Sequence, residues 1–262
     1  MTLITLTTDF GLVDSYVAVM KGVILSIAPD AHIVDITHRI TPQDVRGAAY
    51  ILSTAVPYFP PDTVHVVVVD PGVGSTRRPI AMKAGRMRFV GPDNGVFTPI
   101  LMSEGDASIV HLDNPAYWLP AVSHTFHGRD IFAPVGAHLA AGAPLIALGS
   151  PIDDPMLLES AQPVRLATGA LRGQIVHVDR FGNLISNIPG SWLAGEGWTV
   201  RVAGLELDGV QSTYAAVDFG QLVALIASGD TLEIAVRDGS AAQRLQVAAG
   251  EPVEAWPRET GR

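Results

Sequence analysis

The chain has 262 residues, 48% of them hydrophobic and 16% charged, with a formal net charge of −9 and no cysteine. That balance supports a sizeable folded core and argues against nucleic acid as a partner, because nucleic-acid recognition needs a basic footprint. The lack of cysteine excludes disulfides, thiol nucleophiles, thiolate zinc sites and iron–sulfur clusters. The opening "MTLITLTTDFG" has no secretory leader pattern, and no apolar run is long enough to span a membrane. A cytoplasmic protein without membrane association is the expectation.

Taken in chain order, "LITLTTDF" predicts a strand that ends at Asp9. Asp14 or Ser15 is placed to cap a helix whose apolar face carries Val17, Met20, Ile24 and Ile27, and Pro29 stops it. "AHIVDIT" predicts the second strand. Thr41 and Asp44 then frame a capping box with Pro42 at the first helical position, and Val45, Ala48, Ala49 and Leu52 continue the apolar face. "TVHVVVVD" reads as a strand buried on both faces, running into Asp70. This alternation predicts an α/β domain over residues 1–150, with a largely parallel sheet flanked by helices. Ligands of such sheets gather at the carboxyl ends of strands, where Asp9 and Asp70 stand.

The glycines of "VVVVDPGVGSTRRP" invite comparison with a phosphate-cradling loop. Such a loop feeds a helix, whereas the following "PIAMKAGRMRFVG" alternates like two short strands around a glycine turn. Asp70 and Arg77 therefore form either an ordinary strand end with a solvated arginine or one wall of a site; Arg78 is expected at the surface. Further on, "SHTFHGRDIFAPVGAHLA" places Phe126, His127 and Gly128 at or just before a helix N-terminus. Free backbone N–H groups there favour an anion, and Gly128 lets a small species approach the backbone. His124 and His127 are three residues apart, but no third ligand follows at a recognisable spacing, so no metal is expected.

Residues 151–168 are rich in proline, glycine and acid and read as a linker. Residues 169–262 carry the strand candidates "LRGQIVHVDRFG", "WTVRVAGLELDGV", "QLVALIAS", "TLEIAVRDG" and "RLQVAAGEPVEAW". They predict a smaller C-terminal all-β, barrel-like domain. Within it, "VDRFGNLISNIP" collects Asp179, Phe181, Asn183 and Asn187, a set that also suits a plain turn.

The ordered stretches "TTDFGLVDSYVAVMKG", "VVVVDPGVGSTRRPI", "FVGPDNGVFT", "TFHGRDIFAP", "DRFGNLISNI" and "LEIAV" resemble the S-adenosyl-L-methionine hydroxide adenosyltransferase family, relatives of the S-adenosylmethionine fluorinases and chlorinases. The resemblance implies hydrolysis of S-adenosyl-L-methionine to adenosine and L-methionine by attack of water or hydroxide on ribose C5′, with no cofactor. It also implies a homotrimer with substrate at subunit interfaces. By position, the family's catalytic set falls on Asp70, Arg77 and His127, and its ribose-binding aspartate on Asp9. Phe126 and Gly128 fall among its substrate-binding residues. Asp179, Phe181 and Asn183 fall around the methionine and adenine parts, with Tyr214, Ser228, Glu233 and Val236. Gly128 matches a glycine of the chlorinases, so a halogenase of the same fold is the alternative, and a non-catalytic S-adenosylmethionine or adenosine binder is another. Asp230 and Thr231 stand where the family usually has glycine and tyrosine.

Overall fold

The computed structural model describes residues 2–159, 161–195 and 197–258, so Ser160 of the predicted linker lies outside the described residues. The chain divides into two compact units, Met1–Leu158 and Glu159–Arg262.

The first unit is a seven-stranded sheet with helices on both faces. In chain order it contains β1 (Leu3–Thr8), α1 (Tyr16–Ile27), β2 (His32–Thr37), α2 (Val45–Ala55), β3 (Val64–Val68), β4 (Pro79–Ala84) and β5 (Met87–Pro92). It continues with α3 (Thr98–Glu104), β6 (Ala107–His111), α4 (Ala133–Ala140) and β7 (Ser150–Ile152). The strand order is β2-β1-β3-β5-β4-β6-β7. β1 pairs in parallel with β2 and β3, and β3 with β5; β4 runs antiparallel to β5 and β6, and β7 to β6. Five of the seven strands therefore point one way, with β4 and β7 reversed, as a largely parallel sheet requires.

One face packs Ile4, Leu6, Val64, Val66 and Val68 against Met20 and Ile24 of α1 and Val135 and Leu139 of α4. The other packs Val67, Val69, Met82 and Phe89 against Ala48 and Leu52 of α2 and Ile100 of α3. All five residues of β3, four valines and His65, are buried, as a strand covered on both faces requires. Each valine taken from water there contributes about 1.5–3 kcal/mol.

Two predicted helix starts differ in detail. Ser15 stands at the N-cap of α1, yet its side chain makes no capping hydrogen bond. At α2 the cap is Asp44 alone, whose carboxylate accepts from Gly47 N–H at 2.8 Å, and the helix begins at Val45. The reason lies at Gln43, whose left-handed φ of 69° breaks the backbone between Pro42 and the helix.

The second unit is a nine-stranded, strongly curled sheet. It comprises β8 (Val164–Arg165), β9 (Leu171–Val178), β10 (Leu184–Pro189), β11 (Trp198–Val202), β12 (Leu205–Asp208), β13 (Val210–Gln211), β14 (Leu222–Ile226), β15 (Thr231–Val236) and β16 (Pro252–Pro257). The order is β12-β11-β16-β9-β10-β15-β14-β13, with β8 on β9. The two end strands, β12 and β13, follow each other in the chain with only Gly209 between them, so the sheet nearly closes on itself as a barrel. Its interior holds Ile175, Leu184, Val200, Ala224, Ile234 and Val253. The predicted strand "RLQVAAGEPVEAW" is only half a strand. Ser240 caps a short helix, α5 (Ala241–Leu245), by accepting from Gln243 N–H, and left-handed Gln246 ends it before β16. Residues 151–168 are not wholly irregular, since β7 ends and β8 lies within them.

Candidate active site

Asp70 follows β3, and tight turns fold the chain back over the next seven residues. Val73 N–H donates to Asp70 C=O at 3.2 Å and Ser75 N–H to Gly72 C=O at 3.1 Å. The Ser75 hydroxyl accepts from Arg77 N–H at 3.2 Å. Gly74 has φ +76°, and a Cβ there would stand 2.4 Å from the His124 carbonyl oxygen. Only glycine lets this turn sit against the segment that carries His127.

Arg77 thereby returns to Asp70. Its Nε donates to both carboxylate oxygens, at 2.9 and 3.0 Å, and its Nη2 donates to Oδ2 as well. The side chains are only 7% and 5% exposed. Nη2 also lies 3.0 Å from His127 Nδ1. A guanidinium has donors only, so Nδ1 must accept and the imidazole proton resides on Nε2. Burial first, and the neighbouring Arg77 charge second, hold the His127 pKa below its ordinary 6.5. The ring is therefore neutral at pH 7. Phe132 lies under the guanidinium, 5.2 Å from Cζ to ring centroid. Arg77 Nη1 is buried and has no hydrogen-bond partner among the described residues. An N–H of a buried cation without a partner costs free energy unless a ligand takes it up.

His127 caps a π-helical turn, Gly128–Phe132, that continues into α4. Such turns are rare and recur at functional sites. Fully buried Asp130 organises the approach: its Oδ2 accepts from the Ser123 amide and hydroxyl, both at 2.8 Å, and its Oδ1 from Arg129 Nε at 2.6 Å. Burial raises the Asp130 pKa, but these donors outweigh it and leave the carboxyl below its usual range. Gly128 is buried. A Cβ there would meet Phe126 and Val68 at 3.2 Å and the Met20 sulfur at 3.4 Å. Phe126 joins Phe10 and Tyr16 in an edge-packed trio with centroids 5.2–5.7 Å apart. These three rings, with Ser123, Thr125 and Arg129, line a hollow of about 410 Å³. Among the described residues no group of three His, Asp or Glu side chains is arranged to hold a metal.

Asp9 follows β1, and its Oδ2 accepts from Gln43 N–H at 2.8 Å. Arg78 is not the free surface arginine expected. It donates to Asp93 Oδ2 at 2.9 and 2.7 Å and to Asp154 Oδ1 at 2.7 Å, so it pins the 153–158 segment to the end of β5.

The remaining predicted residues lie in the second unit. Asp179 organises the β9–β10 turn: Oδ1 accepts from Phe181 N–H at 2.9 Å and Asn183 N–H at 2.8 Å, and Oδ2 from Asn183 Nδ2 at 3.0 Å. Phe181 projects from that turn, 77% exposed. Glu233 is 4% exposed and accepts from the Tyr214 hydroxyl at 2.7 Å. Burial raises its pKa against the lowering by Tyr214, and burial with the Glu233 charge pushes Tyr214 up to about 12. Ser228 is exposed in the β14–β15 turn, and Val236 is packed into the barrel interior. Sequence reasoning missed Asp130, Gln43, His38 and Phe132. Of these only His38 carried a signal, its spacing of three from Asp35 at a strand end.

Residues 4–149 match the SAM hydroxide adenosyltransferase N-terminal domain, and residues 173–254 match the C-terminal domain of that family. A relative from Salinispora arenicola, named (R)-S-adenosyl-L-methionine hydrolase, is 40% identical over 95% of both chains. A fluorinase from Nocardia brasiliensis is more distant, 30% identical over 96% of both chains. A crystal structure of a Thermotoga maritima protein superposes with a TM-score of 0.90 at 41% identity, covering 97% of this chain and 100% of that one. With both domains matched and the likeness running nearly end to end, the chain belongs to the SAM hydroxide adenosyltransferase family.

Proposed function

We propose that this protein hydrolyses S-adenosyl-L-methionine to adenosine and L-methionine. The observation that carries the reading is the buried, unpartnered Arg77 Nη1 beside a neutral His127, at the glycine-opened start of the π-turn. These two side chains offer N–H donors to an oxygen nucleophile and lower the free energy of hydroxide relative to water. The oxygen attacks ribose C5′, the C5′–S bond breaks, and its electron pair returns to sulfur to give the neutral thioether of methionine. The sulfonium leaves without protonation, so the reaction needs neither a general acid nor a cofactor. The proton of an attacking water passes to solvent, because His127 Nδ1 is already occupied. The task left to the protein is alignment and partial desolvation of the oxygen nucleophile.

Asp9 holds the ribose; with Oδ2 engaged by Gln43, its Oδ1 is the oxygen open to a sugar hydroxyl. Phe126 and Gly128 border the reacting carbon. Asp179 and Glu233 suit the ammonium group, and Phe181 and Tyr214 offer faces to the base, with Asn183, Ser228 and Val236 around them. The reading includes a cytoplasmic homotrimer with sites at its interfaces. The hydrolase name of the relative adds a preference for the (R) sulfonium epimer.

Incubation with S-adenosyl-L-methionine of mixed sulfonium configuration tests this. Equimolar adenosine and methionine should appear as the (R) epimer disappears. Intact substrate, or a 5′-halogenated nucleoside formed in chloride, overturns the reading.

A further inference from the structure

The loop that carries Asp9 is held from below by a relay that runs inward from partly exposed Lys21 and Asp35 to buried His38 and Thr8. Thr8 is fully buried and His38 is 4% exposed. The Thr8 hydroxyl lies 2.9 Å from His38 Nδ1. On the other edge of the ring, Nε2 lies 3.1 Å from Asp35 Oδ1, within ion-pair reach though not aligned for a straight hydrogen bond. Asp35 Oδ2 accepts from Lys21 Nζ at 2.6 Å. Burial raises the Asp35 pKa, but Lys21 and His38 outweigh it, so the carboxyl stays below its ordinary range.

With Nε2–H facing the carboxylate, Nδ1 is left to accept from the Thr8 hydroxyl. The Thr8 oxygen in turn accepts from Phe10 N–H at 3.3 Å. The His38 carbonyl accepts from Gly11 N–H at 2.7 Å. His38 thus grips the chain on both sides of Asp9, through Thr8 before it and Gly11 after it. Five residues on, Gln43 donates its amide to the Asp9 carboxylate from a left-handed backbone. A non-glycine residue kept at positive φ implies surroundings that over-determine it.

We infer that His38 is a positioning residue: the Lys21–Asp35–His38–Thr8 relay fixes the direction of the Asp9 carboxylate and so sets how strongly the enzyme discriminates a ribose from its deoxy counterpart. This rests on Asp9 being the ribose contact. His38 touches neither substrate nor nucleophile; it acts through the loop.

The test uses binding of adenosine and 2′-deoxyadenosine to the full-length protein, measured by calorimetry, so it does not depend on turnover. The two nucleosides differ by one oxygen, so general loosening weakens both alike. The wild type should prefer adenosine by about tenfold or more, the size of a hydrogen bond to a carboxylate. His38→Ala and the isosteric Thr8→Val should each shrink that preference to about threefold or less. His38→Asn keeps an acceptor for the Thr8 hydroxyl and should restore most of it. Should either His38→Ala or Thr8→Val prove unstable, the other carries the test. An undiminished preference, with both nucleosides weakened equally, overturns the inference and leaves the Asp9 reading intact. A wild type that binds neither nucleoside or shows no preference, or an Asp9→Ala variant that keeps it, overturns the ribose reading, and the inference with it.

Discussion

Arg77 is asked to do two things, and the structure allows them to be separated. Replacing it by methionine leaves Asp70 with a side chain only 5% exposed and without its partner guanidinium. Breaking a buried pair from one side costs about 3–5 kcal/mol, because a charge is left uncompensated. For a chain of this size each kcal/mol lowers Tm by about 2–4 °C, so Arg77→Met should lose about 6–20 °C. Removing both charges with Asp70→Leu/Arg77→Met should recover most of that stability, since a well-packed apolar pair often replaces a buried ion pair at no net cost. Turnover should behave otherwise. Both variants lose the Nη donors and should fall by about 10²–10³-fold, the loss typical of one oxyanion-type donor. Thermal unfolding and adenosine release, measured on the same preparations, check the pair of claims. An Arg77→Met variant with unchanged Tm refutes the buried-pair argument; a double variant that regains turnover refutes the electrostatic one.

Further outcomes follow from titrations. His65 is fully buried, bonded to Thr5 and stacked on Phe89, and burial holds its pKa at about 4. The unfolded chain takes up a proton near pH 6.5 that the folded state refuses. Stability is therefore complete above pH 6.5 and falls towards pH 4, by about 1.4 kcal/mol per pH unit once the unfolded histidine is protonated. Urea unfolding at pH 7, 6 and 5 should show at least this slope, since His127 and His138 are lowered too, and His65→Leu should make it shallower; an unchanged slope in the variant rejects the assignment. His127 must be neutral to accept from Arg77, and its pKa is lowered, so kcat/KM should hold at pH 7 and fall on an acid limb whose midpoint lies below 6.5. A midpoint above 6.5 contradicts that protonation state.

The sequence made the first unit legible where one residue pattern had one structural outcome. The valines of β3 are buried on both faces, and the apolar residues of α1 and α2 mark the faces that cover the sheet. Legibility failed where backbone conformation overrode pattern. Left-handed Gln43 moved the start of α2, and left-handed Gln246 closed a short helix in a stretch whose Arg-Leu-Gln-Val alternation reads as a strand. The site shows the same division. Asp70 and Arg77 were identifiable as a pair, but not the direction of the His127 hydrogen bond, which places its proton on Nε2 and removes it as the base at Nδ1. Arg78 looked like a solvated neighbour of Arg77 because its partners, Asp93 and Asp154, lie 15 and 76 residues away. Residues that organise rather than react, such as His38 and Asp130, are each defined by contacts scattered along the chain.

The most direct test of the central claim is a single turnover in ¹⁸O-labelled water, followed by mass analysis of both products. Attack at C5′ by an oxygen held at Arg77 and His127 predicts one ¹⁸O in the 5′-hydroxyl of adenosine and none in methionine. Label in an amino-acid product, or adenosine released without label, contradicts it.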